Sequence, residues 1–154
     1  MSYVFEAIIV CCGSLTQIPP GFRLFSFNRT KGLIRVAQRT QPIDQPLLLA
    51  TARSVSFEAG LAVALLYDDR IGFRSSTIVE NGQTVRSFGG DEEVWCLLDN
   101  DGNPDLDGPM YNCNSIPAGE EGACARSAID FGLSALGLDG DESSALVDFL
   151  RNEC

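Results

Sequence analysis

The chain of 154 residues, 45% of them hydrophobic and 21% charged, suits one core and one domain (1–154) and is too apolar for disorder throughout. Its net charge of −10 argues against general nucleic-acid binding, because most of the surface would repel phosphates. It has no histidine, which excludes Ser-His-Asp and Cys-His catalysis and every His-based zinc or iron site.

Residues 2–12 read as a buried strand, since Tyr3, Val4, Phe5, Ile8, Ile9 and Val10 favour pleated, packed backbone. Pro19 and Pro20 stop the loop that follows. Residues 22–27 and 33–40 form two strands around a five-residue connection containing Gly32. Two prolines break the pattern over 41–46. The Ala-rich stretch 47–59 is helical, Gly60 interrupts it, and 61–67 has the length and composition of a strand. Asn81-Gly82 predicts a type I′ turn, and hence a hairpin over 72–88. Residues 93–98 make a further strand around Trp95, which is a core residue.

Residues 99–119 are loop, rich in Asp, Asn and Pro. A helix over 122–138 presents Ala125, Ile129, Leu133 and Leu136 on one face. Asp139 and Glu142 have capping-box spacing for a last helix, over 140–153, that buries Ala145, Leu146, Phe149 and Leu150. The fold class is therefore α+β: a mainly antiparallel sheet from residues 2–98, covered by C-terminal helices over 122–153.

The six cysteines contain no C-x-x-C, so neither a zinc ribbon nor a thioredoxin-like pair is indicated. The first residues lack a basic region, carry Glu6, and have too short an apolar run for an export signal. No stretch approaches the roughly 20 apolar residues of a membrane helix. The expectation is a cytoplasmic protein with free thiols and no membrane association.

Two segments suggest ligands. Asp99, Asp101, Asn103, Asp105 and Asp107, followed by Gly108, place oxygens at alternate positions as the opening of a calcium loop does. The twelfth position from Asn103 is Asn114, which lacks the closing bidentate carboxylate, and exposed turns select the same residue types. Between Ala7 and Ile43 lie Arg23, Arg29, Lys31, Arg35 and Arg39, with no acid before Ile43 and with Phe22, Phe25 and Phe27 interleaved. Such a segment is either a stacking platform for single strands or phosphates, or a half-buried hairpin with a solvated outer face that pairs with the chain's own acidic end.

That acidic end is pronounced. Residues 1–90 hold nine basic and six acidic side chains, and residues 91–154 hold two basic and fifteen acidic. Missing catalytic motifs and gathered negative charge together favour a non-enzymatic protein-interaction domain, of binding or inhibitor type, with a basic protein as partner. One alternative is a calcium-binding module on loop 99–108. Another is a carboxylate-dependent enzyme or small-ligand binder, with a pocket between sheet and helices near Asp68, Asp69 or Asp130.

Overall fold

A strand buried on both faces has to lie inside a sheet with layers on either side. Val4–Val10 (β1) is such a strand, with six of its seven residues buried. In the computed structural model, which describes residues 3–11, 15–16, 18–29, 31–41, 44–91, 93–112 and 127–152, it lies between β3 (Gly32–Arg39) and β4 (Leu61–Asp68), antiparallel to both. β2 (Phe22–Arg29) pairs outside β3. On the other side follow β5 (Phe73–Glu80), β6 (Gln83–Gly90), β7 (Val94–Leu97) and β8 (Met110–Asn112). The described strands thus form one antiparallel sheet in the order β2-β3-β1-β4-β5-β6-β7-β8. The α+β class holds, and β8 carries the sheet beyond residue 98.

The β5–β6 turn has positive φ at both Asn81 (49°) and Gly82 (83°), as a type I′ hairpin requires. The helical stretch is α1 (Gln45–Ala59), which begins two residues earlier than expected. Pro46 does not break it: in a first turn the missing N–H costs nothing, and Asp44 caps the end by accepting from the Leu47 N–H at 3.1 Å. Gly60, at φ 82°, closes it. Leading from β3 to β4, α1 crosses β1 and packs on β1, β4 and β5. It gives the sheet a helical layer on the face that the C-terminal helices leave open.

The second layer comprises α2 (Ala128–Leu133), a 3-10 turn (Ser134–Leu136) and α3 (Gly140–Asn152). Of the predicted helix over 122–138, residues 122–126 lie outside the described residues, and the end is tightened into the 3-10 turn before Gly137. The capping box of α3 is formed, with the Asp139 N–H donating to Glu142 Oε1 (3.1 Å) and the Glu142 N–H donating to Asp139 Oδ1 (2.8 Å). Its buried face is Ser143, Leu146 and Leu150, with Phe149 half-buried and Ala145 exposed. α2 lies directly on β5: Ser76 Oγ donates to the Ala128 carbonyl at 2.6 Å, and a Cβ on Gly132 would overlap Ser76.

Among the described residues Cys11 and Cys96 are free thiols. No helix among them is long and apolar enough to cross a membrane.

Candidate functional site

The basic hairpin β2–β3 turns its rings inward. Phe25 and Phe27 meet Phe149 of α3 edge-on, at 4.9 and 4.7 Å between ring centres. Phe22 lies under the Arg39 guanidinium at 5.4 Å. Arg29 reaches Glu142 at 3.3 Å, an ion pair between the basic segment and the acidic end of the chain. The outer face expected to be solvated is only partly so, because Ala37 is fully buried in the cluster that α1 covers. Phe25 and Phe27 are thus engaged with α3.

The Asp-rich loop folds on its own carboxylates. Asp99 Oδ1 accepts from the N–H groups of Asp101 and Asn103, both at 2.9 Å, and Asp105 Oδ1 accepts from the Asp107 N–H at 3.2 Å. The Asp99 N–H donates to the Asn103 carbonyl and the Asp105 N–H to the Leu97 carbonyl, each at 2.9 Å. Among the described residues no group of three or more His, Cys, Asp or Glu side chains is placed to hold a metal ion.

Folded in this way, the loop forms one wall of an open groove of about 540 Å³ against β6 and the end of β7. Val85, Leu97, Leu98 and Leu106 line it together with Asp99, Asp105 and Asp107. Leu106 is 82% exposed and Val85 52%. A second open hollow, of about 440 Å³, lies between α1 and residues 99–102 and shares Ser87 and Asp99 with the first.

The carboxylates singled out for small-ligand chemistry do not converge. Asp68 receives the Arg70 fork, Nε at 2.9 Å and Nη2 at 2.8 Å, and that guanidinium holds its carboxyl below the usual carboxylate range. Asp69 accepts from the Tyr67 hydroxyl at 3.4 Å. Asp130 alone lines the cleft between sheet and helices, where Ser143 and Ser127 donate to its two oxygens.

This cleft measures about 170 Å³, and Tyr67, Arg74, Asp148 and Arg151 complete its charged wall. The sequence reading overlooked both arginines. Tyr67 and Arg74 are cross-strand partners, so the turn between β4 and β5 was the available signal. Nothing in the spacing signals Arg151, which only the docking of α3 brings to the same ring.

No family model, curated protein or solved structure matches the chain. Its described surface includes a wide groove, apolar and acidic, and a small cleft with both signs of charge.

Proposed function

We propose that the protein is a non-enzymatic interaction domain, of binding or inhibitor type, which docks a basic protein partner in the groove beside its acidic loop. The supporting observation is the company that two exposed apolar side chains keep. Leu106 and Val85 stand open to solvent in a groove that also carries Asp99, Asp105 and Asp107. Covering an apolar side chain of this size is worth about 1.5–3 kcal/mol when burial is complete. The carboxylates draw in a cationic surface and set its orientation. The loop is already ordered by its own hydrogen bonds, so docking costs little further entropy. A cytoplasmic location belongs to the same reading, and the free thiols Cys11 and Cys96 suit a reducing compartment.

Affinity capture from one lysate, with the unaltered chain beside a Val85→Glu, Leu106→Glu double variant, tests this. Both positions face solvent, so the fold should survive. The unaltered chain should retain a basic protein that is released as salt rises from about 0.1 to 0.5 M, where screening lengths shrink to a few ångströms. The double variant should lose at least tenfold of it. Equal retention by both chains, or retention indifferent to salt, would remove the groove from the account.

A further inference from the structure

The cleft between the sheet and the C-terminal helices shares no lining residue with the groove and holds a different chemistry. Tyr67 is its centre. The ring is stacked on Phe5 at 5.1 Å and only 4% exposed. Arg74 lies 4.6 Å from the ring centre and donates from Nη2 to the Tyr67 hydroxyl at 3.1 Å. Arg151 approaches from α3, its guanidinium carbon 4.9 Å from the Tyr3 ring and 5.7 Å from the Tyr67 ring. Two aromatic faces thus hold one guanidinium in place.

Held there, Arg151 has no hydrogen-bond acceptor among the described residues. Its Nε is buried without a hydrogen-bond partner, and the side chain forms no ion pair. Guanidinium N–H groups taken from water without an acceptor are costly, and the fork geometry matches a carboxylate. Asp148, one helical turn away on α3 and lining the same cleft, also stands unpaired among the described residues. Asp130 is already supplied by two serines and is part of the frame. The cleft therefore displays one unmatched cation and one unmatched anion, with the hydroxyls of Ser127 and Ser144 and the apolar surface of Ile129 and Val147.

A site with separated charges of both signs is complementary to a ligand carrying the opposite pair. Its size narrows the class further. A volume of about 170 Å³ falls below the ~300–1,000 Å³ of sites for drug-sized molecules and suits a small ligand. We propose that the cleft binds a free α-amino acid, with the carboxylate on the Arg151 fork and the ammonium on Asp148.

Calorimetric titration with each of the twenty standard amino acids, at up to about 10 mM, is the test, since a site of this size should bind in the millimolar range or tighter. At least one small amino acid should bind. Its single-charge fragments, propionate and ethylamine for alanine, should bind at least tenfold more weakly. Arg151→Gln should weaken binding at least tenfold. Asp148→Asn, at an exposed position that leaves the core untouched, should do the same and guards against a loss that reflects Arg151 packing alone. Three results would overturn the proposal: no amino acid binds, both variants bind as the unaltered chain does, or propionate binds as well as alanine, which would make this a plain anion site.

Discussion

The two faces of the sheet are filled with different side chains. Toward α1 it presents Ile8, Val10, Ala37, Ala62, Ala64 and Val79, and α1 answers with Leu48, Ala52, Val55 and Ala59, with no ring among these buried residues. Toward α2 and α3 it presents Phe5, Tyr67, Phe88, Trp95 and Tyr111, joined by Phe131. Small side chains let one continuous helix approach the strands along its length. Two short helices set on either side of a 3-10 turn leave a wider, uneven space, and flat rings fill it edge to face. The uneven side is also where the cleft persists, because rings and arginines tile such a space less completely than alkyl groups do. The cleft lies under α2 and α3, whereas the groove lies beyond β5, the last strand on which α1 packs extensively.

If that contrast is right, the ring-lined face should answer most to lost volume. Phe88 is fully buried, with Phe131 at 4.7 Å, Tyr111 at 5.8 Å and the Arg86 guanidinium 4.8 Å over its ring. Phe88→Ala should destabilise by about 3–5 kcal/mol, read as the fall in unfolding free energy in urea. The α1 face should answer instead to added volume. Ala52 is fully buried between helix and sheet, so Ala52→Leu should cost about 1–3 kcal/mol, because a helix so close must shift to admit three more carbons. A free fit of leucine at residue 52 would mean that the α1 layer is looser than its composition indicates.

The division into faces was partly legible in the sequence. Strand order along the chain, the Asn81-Gly82 turn and the Asp139–Glu142 box are local codes, and each is written within a few residues. Alternation along β3 separates Ile34 and Val36 from Ala37, but it does not say that the second face also carries a helix, which is why an outer face open to solvent was expected there. Pro46 read as a breaker because a proline's meaning depends on where the helix begins. The acidic loop was legible as a loop. That Asp99 and Asp105 accept from their own backbone follows from the short reach of Asp. The cleft was legible only in part: a pocket between sheet and helices near Asp130 was expected, but Tyr67, Arg74 and Arg151 join it through the packing of α2 on β4 and β5 and of α3 on β1 and α2, which no spacing along the chain encodes.

The smallest effect expected is one of pH, and it separates the faces from the turns at their edges. Asp91 accepts from the Val94 and Glu93 N–H groups at 2.8 Å each, and those bonds hold its carboxyl below the usual range; the Arg70 fork does the same for Asp68. A carboxyl lowered in the folded state contributes stability above its unfolded value of about 4, and loses it as pH falls through that value toward the folded one. The contribution is modest, because Asp91 is exposed and the Arg70 side chain is half open to water. Thermal unfolding should therefore show a shallow fall below about pH 4 that is less steep in Asp68→Asn. Buried alkyl and aromatic carbons do not titrate. The gap in stability between Phe88→Ala and Ala52→Leu should thus stay constant from pH 7 down to about pH 4, while both variants follow the same acid slope. A gap that closes in acid would couple the packing of one layer to a titrating group, and the difference between the faces would then be one of charge as well as of shape.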